Sequence, residues 1–177
     1  MKDVRVGDEV LTMSSEGKPT FSKITMFMHR NPDMFVEDFI KITTSNGNDI
    51  TLSEYHMLYT NEKKYIFAKD VQFNQTLMVY NEMKKIFHPS LVLNVSYVSD
   101  VGMYAPLTDE GTIMVDDVFA SCYALFPSHD VSHAVFWLWR KILFPFFEDH
   151  SNQEEYHWYP NLFRQSLNYL GFLSYSL

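Results

Sequence analysis

Four residues have side chains that could take part in nucleophilic or acid–base chemistry: His29, Ser53, His56 and the only cysteine, Cys122. Ser53 lies three positions before His56, so on a bent strand its hydroxyl and the imidazole could reach one backbone amide. Imidazole exchanges protons near pH 7, and a thiolate is a nucleophile. By spacing alone, a hydrogen-bonded structural histidine and a buried structural cysteine are the commoner explanations.

A metal site is the alternative use of the histidines. His129 and His133 are four positions apart on a predicted helix, a spacing that can hold a metal ion. No third ligand is evident in the sequence, and a single cysteine forms neither an internal disulfide nor a cysteine-based zinc site. No glycine motif for phosphate or dinucleotide binding is recognisable. We therefore expect no metal and no cofactor.

The composition narrows the class of function. The 177 residues carry a formal net charge of −8 and no run of lysine or arginine, which argues against a nucleic-acid partner. Hydrophobic residues make up 46% of the chain, enough for one domain with a substantial core, or one domain plus an appendage. The charged first residues do not resemble a signal peptide. The longest apolar run is too short to cross a bilayer.

The first two thirds of the sequence is typical of short strands joined by turns. Asn46-Gly47 is the strongest hairpin signal. Asn31-Pro32-Asp33 predicts a loop, and His29 falls at the end of the strand before it, where a histidine is usually solvated. The spacing of the turns predicts an all-β sandwich or barrel-like fold. The predicted strands cover residues 4–13, 21–28, 35–44, 49–52, 57–60 and 65–67.

Two stretches of the sequence are similar to each other. Residues 2–11 align with residues 69–78, with three identical residues and with the apolar positions in phase. A genuine repeat predicts two β subdomains related by an approximate twofold axis, with a shared site at their junction. A chance match is the alternative.

The character of the sequence changes after residues 101–124, which carry Cys122. A helix is predicted over residues 131–144, ending at Pro145, and a second amphipathic segment covers residues 156–170. A segment this aromatic either packs on the β domain or lies against lipid.

Several motifs resemble the C-terminal autoprocessing domain of hedgehog proteins, which has the Hint (hedgehog/intein) fold. The resemblance covers almost the whole chain and is most specific over residues 104–124. The matching motifs are Val4-Arg5-Val6-Gly7-Asp8-Glu9-Val10-Leu11, Phe27-Met28-His29-Arg30-Asn31, Thr51-Leu52-Ser53-Glu54-Tyr55-His56, Tyr104-Ala105-Pro106-Leu107-Thr108, Gly111-Thr112-Ile113, Ala120-Ser121-Cys122-Tyr123-Ala124, Ser132-His133-Ala134 and His157-Trp158-Tyr159.

The resemblance implies a two-part organisation. Residues 1–125 would form an all-β Hint domain, a pseudo-twofold pair of β subdomains. Residues 126–177 would form a helical, aromatic-rich tail similar to the family's sterol-recognition region. The residues expected to contact the sterol are Phe136, Trp137, Trp139 and Trp158.

The resemblance also implies self-cleavage. In such domains a cysteine at the first position attacks the preceding carbonyl to form a thioester, and a sterol hydroxyl then releases the N-terminal protein as a sterol ester. His56 would protonate the departing nitrogen and Ser53, where the family has threonine, would orient the scissile amide. Cys122 would face the nucleophile and tune its orientation or redox state.

Partners and location follow from the same resemblance. We expect a covalently attached N-terminal signalling protein, and a sterol or membrane surface contacted by the tail, with no nucleic acid. The acceptor, cholesterol or another alcohol, is a substrate rather than a cofactor. The expected location is the secretory pathway or the outside of the cell.

Two departures from the family pattern affect the predicted reaction. The family's Cys-Phe opening precedes the Val-Gly-Asp strand, and Met1 stands almost at that strand, so we expect the first strand and the nucleophile to be missing from these residues. His29 occupies the position of the family's aspartate that activates the sterol hydroxyl. Imidazole is also a competent base, so the change is compatible with activity and leaves open whether the acceptor is cholesterol, another alcohol or water.

Two other functions remain as alternatives. The β domain could be a processing-dead scaffold whose aromatic tail binds sterol or membrane. Alternatively, Cys122 could itself be the catalytic thiol, with His29 or His56 as its base.

Overall fold

The computed structural model describes residues 1–124 and His133, which form an all-β fold with antiparallel strands and one short 3-10 helix. Among these residues no helix is long and apolar enough to span a membrane. Apart from His133, the tail predicted to be helical lies outside the described residues. The elements are β1 (Glu9–Met13), β2 (Pro19–Thr44), β3 (Asp49–Ser53), β4 (Met57–Tyr59), β5 (Tyr65–Phe67), the 3-10 helix Ala68–Asp70, β6 (Thr76–Asn81), β7 (Ile86–Thr108), β8 (Thr112–Val115) and β9 (Val118–Ser121).

Two long strands, β2 of 26 residues and β7 of 23, pair with each other from Ile24–Thr108 to Thr44–Val92. The prediction of short strands was therefore wrong here. The predicted loop at Asn31-Pro32-Asp33 was also wrong, because these residues lie within β2. Proline is tolerated there because the pairing shifts register between Asn31 and Phe35, so its missing N–H does not interrupt a regular ladder.

The prediction that His29 is solvated was wrong, and a β-bulge in β2 explains why it is buried. Phe27 pairs with Pro106 and His29 pairs with Ala105, so β2 has one extra residue between two consecutive partners. The extra residue breaks the alternation of faces along the strand. As a result residues 26–29 are all buried, and His29 is only 5% exposed.

The internal repeat is confirmed in the backbone hydrogen bonds. Ile24 donates its N–H to residue 8 and accepts from residue 7, both at 2.8 Å. Val92 does the same with residues 75 (2.8 Å) and 74 (3.0 Å), the aligned positions of the second copy. The two sequence copies therefore start equivalent hairpins, β1–β2 and β6–β7.

Each copy also receives a turn from the other half of the chain. The first turn, residues 44–48, joins β2 to β3, and its Ser45 N–H donates to Leu91 O at 2.7 Å. The second turn, residues 108–112, joins β7 to β8, and its Asp109 N–H donates to Lys23 O at 3.0 Å. The turn of each half therefore bonds to the hairpin of the other half, as an approximate twofold relation requires.

The two turns have the same internal bonding. The hydroxyl of the first threonine donates to the carbonyl four residues further on, at 3.3 Å from Thr44 and 2.8 Å from Thr108. The N–H of the glycine three residues on donates to that threonine's carbonyl, at 2.9 Å for Gly47 and 3.2 Å for Gly111. This similarity makes the first turn an internal reference for the second.

Buried apolar side chains form two clusters. The larger contains Ile40, Ile42, Leu77 and Val79, and is purely aliphatic in its buried members. The smaller contains sulfur and aromatic groups as well, and it includes Cys122. Its buried members are Met26, Met28, Met57, Leu107, Ile113, Cys122 and Tyr123.

Candidate active site

The segment between β3 and β4 ends in His56 and is held by backbone hydrogen bonds at several points. The His56 N–H donates to Ser53 O at 3.0 Å, closing a turn directly after β3. The 3-10 helix then fastens the segment from outside, because Ala68 N–H donates to His56 O (2.8 Å) and Lys69 N–H to Glu54 O (3.0 Å). The backbone of His56 is therefore held in place independently of the contacts that its side chain makes.

The His56 side chain reaches the strand end that leads to Cys122. Its Nε2–H donates to the Ser121 carbonyl at 2.7 Å. A neutral imidazole carries one N–H, so this bond places the lone pair on Nδ1. Burial lowers the pKa of the His56 imidazole, and the bond to the carbonyl partly opposes that shift. His56 is therefore held as a neutral, oriented imidazole near pH 7.

Cys122 is 2% exposed and is fixed through both its backbone and its sulfur. Its N–H donates to Gly111 O at 2.9 Å, and its Sγ lies 3.6 Å from Thr108 Oγ1. Both contacts come from the second turn. The turn thus holds the cysteine, and Ser121 next to it holds the histidine.

A tight contact between Gly111, Tyr123 and His133 braces the second turn. Tyr123 OH hydrogen-bonds to His133 Nδ1 at 3.2 Å, and Tyr123 is 1% exposed. A β-carbon on Gly111 would lie 2.9 Å from Tyr123 Cε2 and would overlap His133 Nδ1. Only glycine fits here, and its φ of +71° also favours glycine.

His29 lies in the same part of the core. Met28, which precedes it, packs in the cluster that contains Cys122, and Ala105, its cross-strand partner, packs against that cluster. Burial lowers the pKa of His29 below its usual value, which favours the neutral imidazole at pH 7. A neutral buried imidazole can accept a proton from a hydroxyl group.

The structure places three of the four predicted reactive residues in one connected arrangement. Ser53 bonds to His56 through its carbonyl, and His56 bonds to the residue before Cys122. The neighbours of His29, Met28 in the chain and Ala105 across the sheet, pack in or against the cluster that contains Cys122. The role of the Ser53 hydroxyl stays a prediction. The predicted sterol-contacting residues lie outside the described residues, as does His129: Phe136, Trp137, Trp139 and Trp158.

Sequence reasoning missed the residues that support these groups. Ser121 acts through a backbone carbonyl, which no side-chain pattern reveals. Thr108 acts across a turn, although its place directly before Asp109-Glu110-Gly111 is a signal, because a threonine before a tight turn often bonds into that turn.

Comparison with known proteins gives consistent matches. A family model described as "Hint module" matches residues 1–170. Protein hedgehog of Drosophila ananassae is 35% identical over 136 residues, covering 74% of this chain and 29% of that protein. Warthog protein 1 of Caenorhabditis elegans is 34% identical over 138 residues, covering 75% and 28%. The chain thus matches less than a third of the length of these relatives.

Solved structures with a similar fold are inteins. A mutant Ssp DnaB mini-intein superimposes with a TM-score of 0.56 at 6% identity, covering 66% of this chain and 74% of that one. The transcription factor IIB Mvu mini-intein gives a TM-score of 0.54 at 16% identity, covering 64% and 71%. At such low identity the likeness shows the fold alone.

Proposed function

Because the chain belongs to the Hint family and matches hedgehog proteins within it, we propose that it carries out hedgehog-type autoprocessing. A cysteine that precedes Met1 attacks the carbonyl before it, and the resulting thioester passes its acyl group to a sterol or another hydroxyl compound. The observation that carries the proposal is the 2.7 Å hydrogen bond from His56 Nε2 to Ser121 O, which holds the imidazole against the backbone of the residue before Cys122.

His56 serves the first step as a proton relay. The thiol sulfur forms a bond to the carbonyl carbon, and the C–N bond of the amide breaks. The thiol proton passes to His56 Nδ1 and then to the departing nitrogen, which leaves as an amine. The lowered pKa of His56 supports this role, because a neutral imidazole can accept that proton at pH 7.

His29 serves the second step as a general base. The hydroxyl oxygen of the acceptor bonds to the thioester carbon, the C–S bond breaks, and the hydroxyl proton moves to the imidazole. The thiolate then recovers a proton. Burial favours the neutral, basic form of His29, and its chain neighbour Met28 and cross-strand partner Ala105, which pack in or against the cluster that contains Cys122, support a place near the thioester.

The remaining predicted groups have supporting roles in this proposal. The Ser53 hydroxyl orients the scissile amide, and Cys122 faces the nucleophilic cysteine. The tail, through Phe136, Trp137, Trp139 and Trp158, binds the sterol or the membrane that contains it. The reaction takes place in the secretory pathway, where the released partner is an N-terminal signalling protein.

The test is a fusion protein that supplies the junction. A reporter and a Gly-Cys-Phe junction are placed ahead of Met1, followed by the segment that opens the Hint region of Drosophila ananassae protein hedgehog. Dithiothreitol is then added to capture the thioester. We expect release of the reporter, and release roughly 10²–10⁴-fold slower in His56→Ala, the usual contribution of a general acid–base residue.

The matched control is His88→Ala. His88 lies in β7 and hydrogen-bonds Asn46 of the first turn at 3.1 Å, so it is a histidine of the other half of the fold. Its removal is expected to leave release unchanged. An intact fusion, or equal release by the parent and His56→Ala, contradicts the proposal.

A second function is favoured by one observation: the sequence of the tail is rich in aromatic residues, among them Phe136, Trp137 and Trp139. In this second proposal the chain is a scaffold whose tail binds sterol or membrane without cleavage. Flotation with cholesterol-containing vesicles tests it, comparing the parent with alanine at Trp137 and Trp139. Phe73→Ala, at an aromatic residue 66% exposed on the β domain, is the control. Equal flotation of all three proteins rejects this second function.

A further inference from the structure

We propose that Thr108 is a positioning residue, whose hydroxyl accepts a hydrogen bond from the Cys122 thiol and so fixes the orientation of the sulfur. The hydrogen bond is a property of the fold alone. Its consequence for cleavage rests on the proposed autoprocessing function. Thr108 and Cys122 are both buried, at 0% and 2% exposure, so the contact is shielded from water.

The direction of the bond follows from counting protons. A threonine hydroxyl has one hydrogen, and Thr108 donates it to Thr112 O at 2.8 Å. The 3.6 Å contact between Thr108 Oγ1 and Cys122 Sγ is therefore made by the thiol proton. Since the thiol also has only one proton, Cys122 can act towards a further neighbour only as an acceptor.

Other hydrogen bonds keep the Thr108 hydroxyl in place. Thr112, whose carbonyl receives it, also bonds through its own hydroxyl to Thr12 Oγ1 at 2.6 Å. Thr12 lies on β1, the first strand of the described residues, which follows the predicted cleavage junction in the sequence. The network therefore connects Cys122 to the N-terminal side of the fold, the side on which the chain would continue towards the nucleophilic cysteine. With its sulfur oriented in this way, Cys122 would accept a hydrogen bond from the S–H group of the nucleophilic cysteine.

The first turn shows which part of this arrangement is specific. Thr44 makes the same hydroxyl-to-carbonyl bond, at 3.3 Å, and so has the same structural role in its turn. Thr108 has the additional contact with sulfur. The loss of either hydroxyl removes a turn bond, but only the loss of the Thr108 hydroxyl changes the environment of the thiol.

Raman spectroscopy of the S–H stretch tests the hydrogen bond directly, and the single cysteine makes the band assignable. We expect a band in the parent 177-residue chain that is lowered from the frequency of a thiol without a hydrogen bond, and narrower than in guanidinium, where the thiol bonds to water. Thr108→Val is expected to shift the band, whereas Thr108→Ser and Thr44→Val preserve it. A parent band at the frequency of a thiol without a hydrogen bond overturns the inference without any variant being needed, and so does an unchanged band in folded Thr108→Val.

The catalytic consequence has a separate readout in the reporter fusion. We expect thiol-induced release to be roughly three- to tenfold slower in Thr108→Val, the scale of one modest hydrogen bond, and to be within about twofold of the parent in Thr108→Ser. Thr44→Val keeps the parent rate. Equal rates in the parent and Thr108→Val overturn the positioning role. If the Raman shifts appear while the parent itself does not cleave, the proposed function fails and the hydrogen bond stands.

Discussion

The first turn (residues 44–48) and the second turn (residues 108–112) have the same backbone bonding and different surroundings. Gly47 faces open space, with no atom within 4 Å of the position a β-carbon would take. Gly111 is enclosed by Tyr123 and His133. The comparison teaches that the repeat supplies the same turn twice, and that the side chains packed around one copy make it the support of the candidate site.

The difference extends to the groups next to each turn. The first turn contacts His88 through Asn46, on an exposed part of the sheet. The second turn contacts Cys122, whose preceding residue bonds His56. Substitutions made in pairs, one in each turn or half, therefore separate structural effects from effects on the reaction.

The largest difference is expected for the bases of the reaction. His29→Ala is expected to slow cholesterol-dependent release of the reporter by about 10²-fold or more, with little effect on release by dithiothreitol, which requires only the first step. Tyr97→Ala, an exposed residue of the other long strand, is the control. Equal losses of both kinds of release in His29→Ala would show a structural effect instead of a base.

The second difference concerns the glycines of the two turns. Gly111→Ala is expected to lower the free energy of unfolding by about 3 kcal/mol, because the new methyl adds overpacking to the cost of a positive φ. Gly47→Ala, with only the cost of φ, is expected to lose about 1 kcal/mol. Urea denaturation measures both. Equal losses would remove the distinction between the turns.

The third difference concerns the buried hydroxyl pair of Thr12 and Thr112, 2.6 Å apart. Thr12→Val leaves the Thr112 hydroxyl without this partner and is expected to cost about 1–2 kcal/mol of unfolding free energy. The double Thr12→Val, Thr112→Val variant is expected to cost less than the sum of the single variants. Additive losses in urea denaturation would argue against the pair.

The smallest effect is a dependence of stability on pH. Burial lowers the pKa of His29 in the folded state, so the unfolded state binds more protons at mildly acidic pH. The contribution of neutral His29 to the free energy of unfolding is therefore fully present above the usual histidine pKa of about 6.5. It is lost as the pH falls towards the pKa of His29 in the folded state. His29→Gln is expected to flatten this slope in denaturation curves. A steeper slope in His29→Gln would show that folding raises the pKa of His29, contrary to the direction assigned from its burial.

Much of the fold was predictable from the sequence, because its signals are local. The Asn46-Gly47 hairpin is confirmed as the first turn, the internal repeat is confirmed in the backbone, and the resemblance to hedgehog-type Hint domains is confirmed by the matches. The long strand through Pro32 was not predictable, because a proline in an irregular, exposed part of a ribbon looks the same in sequence as a proline in a loop.

The site was predictable only in part. His56 and Cys122 were singled out by their chemistry, but the link between them passes through the Ser121 carbonyl, which every residue possesses. The burial of His29 depends on a bulge, a feature of pairing between strands far apart in sequence. Residue types alone do not encode such non-local geometry.

The central claim is that the His56–Ser121–Cys122 arrangement supports conversion of an amide into a thioester. The most direct measurement is mass spectrometry of the reporter fusion treated with hydroxylamine, which captures a thioester as a hydroxamate. The account predicts a reporter ending in a hydroxamate immediately before the added cysteine, with little of this product in His56→Ala. A fusion that stays intact, or a reporter released at another bond, would contradict the claim.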